Sequence, residues 1–328
     1  MNSLSLSVRT IVLFVLAVAQ THGAVLVWTN SAGGNWSGAT NWSPNQVPSS
    51  IDQAFITNAG TYSVTVSANA TVSQLTLGGT SGVQTLLQSS GTVTPGSANI
   101  VGNGEWRIQS GSLGGVLLIQ PGATFNIEGA NGKVLSAIVT NRGTFNLSGT
   151  GDVSLTGSLD NEGLLNLAGD VRMYPTFNTT RPLRNTGTIR KTAGTGIADL
   201  GVSSGYYIAL TNSGTIESLS GTIAHAGVGL LDGLLKTTNG TRIDFVGHTY
   251  THSGSGSPII SGNGATRLTG GTISLHDSIP GLQLVGGSVQ LLPDFQGGAG
   301  ITNLVLDGTT LSGTNTVTGT LTLRNGSL

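Results

Sequence analysis

The chain is 328 residues long, with 52 Gly, only 8% charged side chains and a formal net charge of −1. Its 13 Lys and Arg against 14 Asp and Glu include no basic run longer than Arg190-Lys191, which excludes the electrostatic footprint of a nucleic-acid or anionic-membrane binder. There is no Cys to build a disulfide framework, and Gly, Ser and β-branched residues recur too often for long helices.

At the N-terminus Arg9, the apolar stretch from Ile11 to Ala19 and Thr21-His22-Gly23 have the three parts of an export signal, with cleavage expected before Ala24. A membrane anchor is the alternative, but this apolar stretch falls well short of the roughly 20 residues needed to span a bilayer. Residues 1–23 are therefore read as a signal peptide, and no membrane span is expected after its removal. The mature chain would carry 12 basic and 14 acidic side chains.

Residues 24–95 hold three of the four Trp, at Trp28, Trp36 and Trp42, and are read as a Trp-rich N-terminal β cap, because large aromatics bury area that a thin coil cannot cover. Alternation in Tyr62-Ser63-Val64-Thr65-Val66 and Val72-Ser73-Gln74-Leu75-Thr76-Leu77 predicts strands.

Residues 96–328 are short strands of the form Gly, small polar, apolar, polar, apolar. Examples are Gly143-Thr144-Phe145-Asn146-Leu147 and Gly163-Leu164-Leu165-Asn166-Leu167. An Asn-x-Gly phrase recurs at Asn141, Asn161, Asn185 and Asn212, advancing by 20, 24 and 27 residues. Self-similarity at this period marks a solenoid, in which one coil cannot bury its apolar face alone and stacking at about 4.8 Å makes a continuous interior. The four Asn are expected to form a side-chain amide ladder, with the Gly supplying a positive φ at each corner. About ten coils follow from about 24 residues per coil. A β-sandwich or a propeller competes, although propeller blades need roughly 40 residues. The pattern runs to Leu328 without a polar cap, so further β-helix coils or a capping domain are expected there.

The segment Trp28, Gly34-Asn35-Trp36, Asn41-Trp42-Ser43, Val47-Pro48 and Asp52-x-Ala54-x-Ile56, with the Asn-x-Gly units, resembles exported bacterial β-helical repeat proteins, specifically autotransporter-like passenger and adhesin repeats. The resemblance implies an all-β right-handed parallel β-helix outside the cell or on its surface. It transfers no catalytic residue, and the membrane barrel of true autotransporters is missing from the sequence.

Two groups of side chains are the main candidates for chemistry. His248 and His252 lie four apart in what reads as one strand, about 13 Å between Cα atoms, too far to share a metal, and are taken as exposed polar positions. Asp160 and Glu162 flank Asn161, and Asp152, Asp160 and Asp170 are candidates to line one outer face, but paired glycosidase carboxylates at 5–10 Å are not evident from the spacing. No catalytic, cofactor-binding or metal-ligating residue is assigned, and no cofactor. The expected function is a non-enzymatic, secreted or cell-surface structural or adhesive protein whose partner is carbohydrate or another cell surface. The alternatives are a carbohydrate-active β-helix enzyme, and then an ice-binding solenoid.

Overall fold

A computed structural model describes residues 23–176, 179–201, 206–254 and 257–328. The expected signal peptide lies outside the described residues except for Gly23. The chain forms a parallel β-solenoid of about 13 turns, 55% strand and 2% helix. Among the described residues one long sheet has 11 strands, including Thr124–Ile127, Thr144–Leu147 and Leu164–Ala168. The other large sheet has 24 strands, fused through the long strands Ala70–Leu77 and Thr92–Ile100. Beyond them it divides into two columns, because Gly111–Leu113 pairs with one end of Thr92–Ile100 and Val116–Ile119 with the other. A later turn therefore has three sides: Thr144–Leu147, then Val153–Leu155, then Ser158–Asn161.

Alternation along each strand decides what enters the core. On the 11-stranded sheet Trp106, Phe125, Phe145, Leu165 and Ile189 stand in register through five coils, each 0% exposed. Trp106 meets Phe125 edge-on at 6.2 Å, and Phe125 meets Phe145 at 4.7 Å. Each such side chain contributes about 1.5–3 kcal/mol by leaving water, so the interior column rather than any local turn holds the coils together.

The boundary expected at residue 95 falls inside Thr92–Ile100, and coils of the same stack lie on both sides of it. Turns contributed by residues 24–95 account for the excess over the roughly ten expected. The Trp cluster closes the first coil. Trp42–Ser43 runs antiparallel to Val25–Trp28 and covers the edge that Gln53–Ile56 leaves free. Trp28 and Trp36 both pack edge-on against Trp42, at 5.1 and 4.9 Å, and the Trp42 indole N–H donates to the Trp36 carbonyl at 2.8 Å. An antiparallel strand and buried indoles together end the ladder without an exposed apolar layer.

The Asn ladder forms as expected. Asn141, Asn161, Asn185 and Asn212 are aligned in register and buried. Each Nδ2 donates to the next Oδ1, at 2.7, 2.7 and 2.6 Å. The same Nδ2 atoms donate to the carbonyls of Leu164, Thr188 and Thr215, which fixes the amide direction along the stack.

The role expected of the glycines is corrected. None of Gly143, Gly163, Gly187 and Gly214 has a left-handed φ. They are glycines because of close approach: a Cβ on Gly163 would run into the Gly143 carbonyl, one on Gly187 into Gly163, and one on Gly214 into Gly187. Coil spacing at this corner is set by backbone against backbone. Gly187→Ala is expected to cost about 2 kcal/mol in urea unfolding, as overpacking does in a site that cannot relax. An unchanged midpoint would show that the coils can spread there.

Candidate functional surface

Outside the amide ladder in the core, the 11-stranded sheet carries a second one on its outer face. Register places Arg107, Asn126, Asn146, Asn166, Arg190, Glu217 and Lys236 in one column, with Glu105, Thr124, Thr144, Leu164, Thr188 and Thr215 in the neighbouring outward column. Asn146 Nδ2 donates to Asn126 Oδ1 at 2.8 Å and Asn166 Nδ2 to Asn146 Oδ1 at 3.0 Å. The chain is pinned at both ends. Asn126 Nδ2 donates to Glu105 Oε1 at 2.7 Å, and the Thr192 hydroxyl donates to Asn166 Oδ1 at 2.8 Å. A carboxylate can only accept, so Glu105 dictates that this ladder runs opposite to the buried one.

An Asn amide has two N–H donors and two acceptor lone pairs, and the ladder uses one of each. The half-buried Asn126, Asn146 and Asn166 therefore present one spare donor and one spare acceptor per coil, repeated at about 4.8 Å, with Thr124 and Thr144 beside the first two and Leu164 beside the third. Alternation with the buried Phe125 and Ile127, Phe145 and Leu147, and Leu165 and Leu167 turns these Asn outward, but their ladder is not among the expectations from sequence. The signal was there, in Phe125-Asn126-Ile127, Phe145-Asn146-Leu147 and Leu165-Asn166-Leu167, each 20 residues after the last.

The carboxylates weighed for catalysis are paired with cations. Glu162 meets Arg142 at 2.8 Å, Asp152 meets Arg172 at 3.3 Å, and Asp160 lies 4.0 Å from Arg184. Asp152, Asp160 and Asp170 do not share a face. Asp152 precedes Val153–Leu155 and reaches Arg172, which is in register with Asp199, Asp160 stands on the outward side of Ser158–Asn161, and the exposed Asp170 pairs at a corner with Lys191 at 2.8 Å. The fully buried Lys191 replaces the Leu167 of the coil before and donates to the carbonyls of Gly169, Ala193 and Gly194. The Lys191 ammonium holds the Asp170 carboxyl below its usual range. Glu217, flanked by Arg190 at 2.6 Å and Lys236 at 2.8 Å, feels burial pushing its pKa up, but the two cations prevail and lower it.

The histidines depart from the expectation of one exposed strand. His248 is a corner residue with φ 59, exposed, its ring 4.3 Å from that of Tyr207. His252 lies beyond Thr249–Thr251 and is buried. His252 Nε2 accepts the His276 backbone N–H at 3.1 Å, so its Nδ1 carries the proton and donates to the Gly254 carbonyl at 2.9 Å. Among the described residues no group of three or more His, Asp or Glu is placed to hold a metal ion.

One polar cleft, of about 550 Å³, is lined by Ser253, Gly254, His276, Asp277, Asp294, Gln296 and Gly297. His276 Nδ1 and Asp294 Oδ2 are 2.7 Å apart, and Asp277 Oδ1 accepts the Ser278 N–H at 2.7 Å. Gln296, which has φ 48, donates its N–H to the His276 carbonyl at 3.0 Å, and its Oε1 accepts from Thr302 N–H at 2.7 Å.

Comparison of the chain with known protein families, curated proteins and solved structures finds no match. No helix among the described residues is long and apolar enough to cross a membrane.

Proposed function

We propose that the chain is an exported, non-enzymatic β-solenoid of the cell surface or extracellular space, akin to autotransporter-like adhesin repeats, that acts as a structural and adhesive rod. In this reading the outer Asn and Thr columns contact carbohydrate. The observation that carries it is the pinned amide ladder of Asn126, Asn146 and Asn166. Side chains already ordered by one another lose little further freedom on binding, and repeated weak contacts add along a rod. The flanking charges are paired across coils, so a neutral glycan fits the surface better than a polyanion or polycation.

The test is retention on a panel of insoluble polysaccharides with product analysis. Retention without cleavage is expected, weakened by about tenfold in Asn146→Leu, which removes the centre of the array. Equal retention of the variant would move the contact elsewhere on the rod. A second reading, a carbohydrate-active enzyme, is favoured by the His276 and Asp294 cleft. Release of soluble sugar that stops in His276→Ala would establish it in place of the first.

A further inference from the structure

Three carboxylates among the described residues are buried: Asp52, Glu217 and Asp244. Glu217 is held by Arg190 and Lys236, and Asp244 by Arg267 at 2.6 Å. Asp52, only 2% exposed, has no cationic side chain within ion-pair reach among the described residues, and apart from burial only hydrogen bonds from Ser49, Ala24 and Gln46 act on it. Its Oδ2 accepts from the Ser49 N–H at 2.8 Å, the Ser49 hydroxyl at 2.6 Å and the Gln46 amide at 3.2 Å. Its Oδ1 accepts from the backbone N–H of Ala24, at 2.7 Å. Neutral donors alone hold this buried carboxylate, and together they outweigh the cost of its burial and keep it ionised.

Ala24 is also the residue before which the sequence places the export cut. We propose that cleavage of the Gly23–Ala24 bond creates a cation beside this carboxylate, and that Asp52 is the docking site for the new α-ammonium of Ala24. This docking depends on export of the chain as proposed above. In the step, a signal peptidase adds water across the peptide bond: the C–N bond breaks, the water oxygen joins the Gly23 carbonyl carbon, and the Ala24 nitrogen leaves as an amine that takes up a proton. The nitrogen stays where it already is, 2.7 Å from Oδ1, and a hydrogen bond becomes an ion pair. Local geometry also favours this bond as the cut. A side chain at position 23 would run into the Ile51 carbonyl, so glycine suits the folded approach and the small-residue preference of the peptidase alike. The consequence is a first strand, Val25–Trp28, already paired on both sides, that gains an ion-pair anchor on processing.

The experiment uses the full chain expressed in an exporting bacterial host, with the N-terminus of the exported product read by intact mass and sequencing. Ala24 is expected as first residue. Stability is then measured against pH for the exported protein and for the same protein acetylated at its α-amino group. A paired α-ammonium has a pKa raised above its unfolded value of about 8, so its stabilisation is full below pH 8 and is lost as pH rises through the folded pKa. That loss is expected only in the unacetylated form. In Asp52→Asn, amide exchange in Val25–Trp28 should speed up at least about tenfold more in the free-amine protein than in the acetylated one. Absence of export, or an exported chain that keeps residues 1–23, overturns the export reading and this inference together. A cut at another bond, or identical pH profiles of the free and acetylated forms, overturns this inference alone.

Discussion

Asn161→Asp is expected to destabilise the solenoid by about 4 kcal/mol, more than Asn161→Ala at about 2–3 kcal/mol, although it changes the fewest atoms. Asn161 Oδ1 accepts from Asn141, and Asp can still do that. Asn161 Nδ2, however, donates to Asn185 Oδ1 at 2.7 Å, the Thr188 carbonyl at 3.0 Å and the Gly163 carbonyl at 3.3 Å. A carboxylate oxygen in its place would face three acceptors with no donor, at a position 1% exposed. Alanine removes the bonds and leaves Asn185 Oδ1 unpaired, but introduces no charge.

The loss is expected to stay local. Each coil contacts only its neighbours, so the variant weakens the interfaces on either side of Ser158–Asn161. Amide exchange should rise in Ile138–Asn141 and Arg181–Asn185 and remain near wild type in the first coils. If Asp and Ala were equally tolerated, or if exchange rose evenly along the chain, the ladder would not be the element that holds these coils.

The same ladder shows how much of this protein could be read from sequence. Asn141, Asn161, Asn185 and Asn212 are legible because an identical phrase marks them and because only stacking brings identical residues together. Asn126, Asn146 and Asn166 lack the Asn-x-Gly phrase, and only their even 20-residue spacing hints at a ladder before register is known. The glycines were misread because sequence records that a side chain is absent, not whether φ or a neighbouring backbone forbids it. His248 looked like a strand residue because the chain around it alternates, yet with φ 59 it forms the corner between Arg242–Gly247 and Thr249–Thr251. The pairing of Glu162 with Arg142 and of Asp152 with Arg172, each 20 residues apart, follows from coil length and was open to the same reading.

His225 sets a second expected result, a loss of about 3 kcal/mol between pH 6.5 and pH 4. It stands inward between Leu200 and Phe245 in the stack. Its Nε2 lies 3.0 Å from the Ile208 carbonyl and therefore carries the proton, while Nδ1 has no partner among the described residues. Burial lowers its pKa from 6.5 to about 4; the Ile208 carbonyl opposes this weakly, and His248 adds to it. Between those values the unfolded chain binds a proton that the folded chain refuses, so stability falls as pH drops through this window and levels off below it. The buried or paired carboxylates Asp52, Asp170, Glu217 and Asp232 have lowered pKa values, so their contribution is lost only as pH falls below the ordinary carboxylate range. The two effects are therefore separable by pH. His225→Leu, which matches Leu200 and Leu268 in the column, gives up the bond to Ile208 at all pH values but should flatten the profile between pH 6.5 and 4. Exchange of the amides in Ile208–Asn212 and Thr222–Ala226 is the direct readout, because acid should open these coils before the Trp-capped end. Parallel profiles for wild type and variant would mean that the ring is reached by protons without the fold opening.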